Sequence, residues 1–120
     1  MRRVLLLEDD LDLREGLADL LQIMGAEEVV AAASFDDLVA QGDRALGSDV
    51  AFLDVNLGAN VPSGVDAFRW LQDHGFEGRV VFLTGHARSH PLVKAAKELG
   101  VLVVEKPVGG ETLEELAAGA

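Results

Sequence analysis

The chain has no cysteine, no tyrosine, a single tryptophan and three prolines among its 120 residues. Without cysteine there can be no disulfide framework, no thiolate metal site and no cysteine nucleophile, and the composition suits a reducing cytoplasm. Basic residues are also scarce: 10 Lys plus Arg stand against 21 Asp plus Glu, a formal charge of −11. So acidic a surface repels phosphate backbones, which argues against direct nucleic-acid binding. No apolar run approaches the roughly 20 residues that a membrane span requires. The N-terminal MRRVLLLEDD meets acids directly after Val4–Leu7, too soon for a signal peptide, so a cytoplasmic location away from membranes is expected.

What is abundant is apolar: 49% of the residues are hydrophobic and 26% charged. Such a chain can bury enough surface to offset its ordering entropy, which excludes disorder. Its length excludes a multi-domain enzyme, and a single domain over 1–120 is expected. Neither a repeat nor a linker interrupts it.

Short apolar runs alternate with stretches of helical period, the pattern of βαβ units around a parallel sheet. The runs are Val4–Leu7, Val29–Ala32, Val50–Leu53, Val80–Leu83 and Val101–Val104. Each is apolar at successive positions, as in strands covered on both faces. Leu13, Leu17, Leu20, Leu21 and Met24 form one helical stripe, stopped by Gly25. A second helix begins at Ser34, capped by its hydroxyl with Asp37 three residues on, and turns Phe35, Leu38, Val39 and Leu46 inward past an internal Gly42. A third follows Pro62-Ser63-Gly64 with Val65, Phe68 and Leu71 inward. A fourth uses Pro91 in its first turn, repeats Leu92, Ala95, Ala96 and Leu99, and stops at Gly100. A fifth runs from Glu111 to about Ala118, with acids in its first turn.

In open parallel sheets, ligands sit outside the carboxyl ends of the strands. Here the first strand ends in Glu8-Asp9-Asp10, the third in Asp54 with Asn56 close behind, the fourth in Thr84 and the fifth in Lys106-Pro107. Clustered carboxylates repel by about 1 kcal/mol per pair at contact in water, and by several-fold more when partly buried. A hard divalent cation such as Mg²⁺ offsets that repulsion, and Lys106 adds a fixed positive charge. This donor set suits phosphoryl transfer, in which catalysis is mostly positioning and charge neutralisation. Asp54, at the end of the central strand and not beside another acid, is the candidate nucleophile.

The chain resembles the receiver domain of two-component response regulators, such as the chemotaxis receivers, over essentially its whole length. The matching segments are LLLEDD with Glu8 and Asp9, AFLDVNL with Asp54, VVFLTG with Thr84, and VVEKPV with Lys106. The resemblance implies a flavodoxin-like, doubly wound α/β fold: a five-stranded parallel sheet of order 2-1-3-4-5 with five helices. It implies a phosphorelay receiver in which Asp54 accepts a phosphoryl group from a histidine kinase or histidine phosphotransfer protein. Mg²⁺ would bind Asp9 and Asp54 directly, Asn56 through its backbone carbonyl and Glu8 through a water. Thr84 and Lys106 would contact the phosphoryl oxygens. The surface of the fourth helix, fifth strand and fifth helix would then change for an output protein or appended effector domain. Beyond its own phosphorylation and dephosphorylation the domain would catalyse nothing.

Two positions depart from the family pattern. Val103 stands where an aromatic switch residue is common, and the loop from Leu57 to Gly64 runs about two residues long, with Gly58 where proline is usual. Val103 favours a rival reading, a receiver-like protein-binding module that is never phosphorylated; the intact acid set and Lys106 oppose it. A small Mg²⁺-dependent phosphohydrolase would need a second acid where Asn56 stands. A flavin-binding relative would place its phosphate against an acidic rim. His74 and His90 are read as solvated, and Trp70 as packing. His86 occupies a position that in this family faces the site and tunes hydrolysis.

Overall fold

The computed structural model describes residues 3–58, 60–85, 91–106 and 109–118. Five strands, β1 (Arg3–Leu7), β2 (Glu28–Ala32), β3 (Val50–Asp54), β4 (Arg79–Thr84) and β5 (Leu102–Glu105), form one parallel sheet of order β2-β1-β3-β4-β5. Among the described residues six helices surround it: α1 (Leu11–Ile23), α2 (Phe35–Gln41), α3 (Asp43–Leu46), α4 (Gly64–Asp73), α5 (Pro91–Glu98) and α6 (Gly110–Ala118). This is the doubly wound, flavodoxin-like arrangement expected. Among the described residues, no helix is long and apolar enough to cross a membrane.

Side chains alternate across each strand, so the sheet carries two cores. On one face Leu5, Leu7, Ala51, Leu53 and Phe82 pack against Leu38 of α2, Ala45 of α3, Val65, Phe68 and Leu71 of α4, and Ala96 of α5. On the other, Val4, Leu6, Val50, Phe52, Val81 and Leu83 meet Leu21 of α1 and Leu113 of α6. The Phe68 and Phe82 rings sit 5.7 Å apart, tilted by 59°. The interior β3 is buried at every residue, whereas β2 and β5, at the sheet edges, are only partly covered.

Four details differ from the sequence reading. The expected second helix is two helices, so the described residues form six and not five. Gly42, at φ 50° and ψ −116°, breaks it in a conformation open essentially only to glycine. Ser34 does cap α2, accepting from the Asp37 N–H at 3.1 Å, but Asp37 reaches back to the Ala33 N–H instead of the cap residue's own. In α5 the deeply buried residue besides Ala96 is Val93, while Leu99 lies just past the helix and is exposed. Leu13, at the exposed start of the α1 stripe, also faces water.

Candidate functional site

Register explains why the singled-out residues meet. Leu7 pairs with Leu53, Asp54 with Leu83, and Thr84 with Glu105. One step beyond the last β1 pair brings Glu8 beside Asp54, and one step beyond Glu105 brings Lys106 to the same sheet edge. The Lys106 ammonium donates to Glu8 Oε1 at 2.6 Å and to Asp54 Oδ2 at 3.1 Å. Its backbone N–H donates to the Thr84 carbonyl at 2.7 Å. Glu8, Asp54 and Thr84 are buried, while Asp9 stands exposed at the mouth.

The loop between β1 and α1 is tightly tied. The Glu8 N–H donates to the Ala32 carbonyl at 3.0 Å, and the Asp10 N–H to Glu8 Oε2 at 3.3 Å. Asp10 caps α1, accepting from the Leu13 N–H at 3.1 Å. The Arg14 guanidinium donates to the Glu8 carbonyl at 2.9 Å and reaches the Asp9 carbonyl at 3.5 Å. After β3, Asp54 Oδ1 accepts from the Asn56 N–H at 3.3 Å, and Asn56 Oδ1 from the Gly58 N–H at 2.9 Å. Leu57 is buried, and with Val61 and Pro62 it lines a groove of about 160 Å³ against Ser34–Asp36. α4 then starts at a capping box: Ser63 Oγ accepts from the Val65 N–H, and Asp66 accepts from the Ser63 N–H at 2.7 Å. Gly64 packs against the backbone of Asp54 so closely that a Cβ there would lie 2.0 Å from the Asp54 carbonyl oxygen.

Burial sets the electrostatics. It raises the Glu8 carboxyl above its ordinary value, with Asp54 adding to the rise and Lys106 opposing it. Burial also raises Asp54, against the lowering pull of Glu8 and Lys106, and raises Asp9, with Glu8 adding to it. Burial works to lower the Lys106 ammonium, but Glu8 and Asp54 outweigh it and hold the group above its usual value. The site thus concentrates negative charge that its one lysine only partly neutralises.

Glu8, Asp9 and Asp54 each offer a carboxylate oxygen, all within 4.8 Å of one another. Such hard oxygen donors, with no nitrogen or sulfur among them, fit Mg²⁺ in kind. The sequence-selected residues Glu8, Asp9, Asp54, Asn56, Thr84 and Lys106 therefore gather at one edge. Val103 lies in register with Phe82, partly buried against the same core. His74 is exposed at the end of α4, its Nδ1 2.8 Å from the Trp70 carbonyl and its ring stacked on the half-buried Trp70. His86, His90 and Pro107 lie outside the described residues. Sequence reasoning did not single out Arg14, although its place one turn after the Asp10 cap was a signal. Nor did it draw the close approach at Gly64.

The family model for the response regulator receiver domain matches residues 4–118. None of the curated protein sequences matches the chain. Among solved structures, a response regulator receiver domain protein from Clostridium thermocellum superposes with a TM-score of 0.82 at 26% identity, covering 99% of this chain and 93% of the other. A CheY-like receiver domain from Methylobacillus flagellatus gives 0.79 at 27% identity, covering 99% and 98%. NtrX from Brucella abortus gives 0.81 at 27% identity over 99% of this chain, which corresponds to 26% of the NtrX chain.

Proposed function

The chain belongs to the response regulator receiver domain family, and on that premise we propose that it is a phosphorelay receiver whose Asp54 accepts a phosphoryl group from a histidine kinase or histidine phosphotransfer protein. The observation that carries this reading is the convergence of Glu8, Asp9 and Asp54 with Lys106 between two of them. Mg²⁺ would be held by Asp9 and Asp54, by the backbone carbonyl of Asn56, and by Glu8 through a water. When bound there, the ion supplies positive charge to the phosphoryl oxygens.

Asp54 is the nucleophile: one of its oxygens forms the new P–O bond as the P–N bond of the phosphohistidine breaks, the electron pair leaving on the ring nitrogen. Burial strengthens the basicity of this carboxylate and with it its nucleophilicity. Lys106 neutralises charge on the transferred group, and the Thr84 hydroxyl donates to it. Both contacts exist only in the phosphorylated state and so bias the surface of α5, β5 and α6 toward an output protein or appended effector domain. The chain acts in the cytoplasm, without direct contact to nucleic acid or membrane, and its chemistry is confined to its own phosphorylation and dephosphorylation.

Val103, which stands where the family commonly carries an aromatic residue, favours the second reading, an unphosphorylated protein-binding module. Intact-mass measurement after exposure to a small acyl phosphate and Mg²⁺ separates the two. One added phosphoryl group on the wild type and none on Asp54→Asn is expected. No addition to the wild type would leave the binding module, and equal addition to both would move the acceptor away from Asp54.

A further inference from the structure

We infer that Arg14 is the positioning residue of the acid loop, holding Glu8 and Asp9 by their backbone so that their carboxylates stay gathered on Asp54; this rests on the Mg²⁺-dependent reading of the site. The guanidinium of Arg14, carried on α1, donates from Nη1 to the Glu8 carbonyl at 2.9 Å and reaches the Asp9 carbonyl at 3.5 Å. Those two residues supply two of the three clustered carboxylates. Mutual repulsion pushes this loop outward, and Asp9, exposed at the mouth, has the most room to move. A cation that bonded the carboxylates themselves would compete with a metal for them. Arg14 bonds the main-chain carbonyls instead and so does not occupy the carboxylate oxygens that a metal would need. Both contacts run from Nη1, whose two N–H groups can serve two carbonyls of one turn from a helical anchor.

This role predicts an effect of opposite sign to simple electrostatics. Loss of a positive charge near a divalent-cation site should by itself tighten Mg²⁺ binding. Loss of a group that orients metal ligands should weaken it, by about tenfold or more. Arg14→Met, which keeps the aliphatic stem, is therefore expected to weaken Mg²⁺ binding about tenfold in calorimetry of the full chain, and Arg14→Lys to fall between it and the wild type. Unchanged or tighter binding in Arg14→Met overturns the inference, whatever happens to thermal stability. Backbone carbonyl ¹³C shifts of Glu8 and Asp9 in metal-free protein give a second readout. They should move in Arg14→Met more than those of Asp54 and Asn56, and unmoved Glu8 and Asp9 shifts also overturn it. A wild type that binds no Mg²⁺ removes the proposed function, and the carbonyl shifts then decide the role of Arg14 alone.

Discussion

Lys106 is the counter-charge that lets three carboxylates share one edge of the sheet. Glu8 and Asp54 hold their protons more tightly in the folded chain than in the unfolded one, both chiefly through burial. Their contribution to stability is therefore fully present below the ordinary carboxylate range and is lost as pH rises through the raised folded values. Lys106 is raised as well, so its contribution persists through neutrality and disappears only in the alkaline range. Metal-free protein should be most stable under mildly acidic conditions and less so at neutral pH. Asp54→Asn removes one repelling charge and leaves Lys106 its shorter bond to Glu8. It should raise the neutral-pH melting temperature by a few degrees, about 1 kcal/mol, and flatten the pH profile. Mg²⁺ should stabilise the wild type and not this variant, which thermal melts with and without the ion will show. Lys106→Met does the reverse. Leaving Glu8 and Asp54 unpaired, it should cost about 2 to 4 kcal/mol at neutral pH and less in acid, measured by urea denaturation at both.

The turns between strands and helices place these residues, and two glycines there are constrained in different ways, one by a close approach and one by its backbone angles. At Gly64 a methyl group would collide with the Asp54 carbonyl oxygen, so the start of α4 or the end of β3 must shift. Gly64→Ala is expected to destabilise the chain by about 3 kcal/mol and to slow acyl-phosphate labelling of Asp54, since the backbone of this proposed acceptor moves. At Gly42 the strain is remote from the site. Gly42→Ala should cost about 1 kcal/mol or more through its backbone conformation while leaving labelling unchanged. Comparing the two variants by denaturation and intact mass separates loss of stability from loss of site geometry. The elements themselves were legible because apolar runs and helical stripes follow from burial. The division of α2 from α3 was not, because a mid-helix glycine is often tolerated and its dihedral angles are set by how the chain must turn toward β3.

Across the molecule, β1 and β3 run through the centre of the sheet and carry the acids, while β4 and β5 carry Thr84 and Lys106 toward α5 and α6. The Lys106 N–H to Thr84 carbonyl bond ties the ends of β4 and β5 together beside Asp54, so a change at Asp54 is expected to reach both strand ends. Val103, in register with Phe82 and partly buried, brings no large ring to swing into space left by Thr84. The response to a phosphoryl mimic should therefore be a modest shift of backbone, read as amide chemical-shift changes at Thr84, Gly85 and along α5, with the segment 86–89 between them included. Thr84→Ala and Lys106→Ala should each reduce it. Changes confined to the loop after Asp54, with α5 unmoved, would refute this route.

The order of apolar runs and the acids at the ends of the runs determined a parallel α/β sheet and the side of it on which chemistry belongs. Those follow from local periodicity and from the rule that loops at the carboxyl ends converge. The tertiary structure alone decided that Lys106 bonds both Glu8 and Asp54, that Asp9 is exposed while its neighbour is buried, and that Arg14 grips the loop between them. Such contacts depend on strand register and on the direction in which each side chain leaves the sheet. Lys106 and Glu8 are separated by 98 positions in sequence, and no local pattern carries information over that distance. Only the packed sheet does.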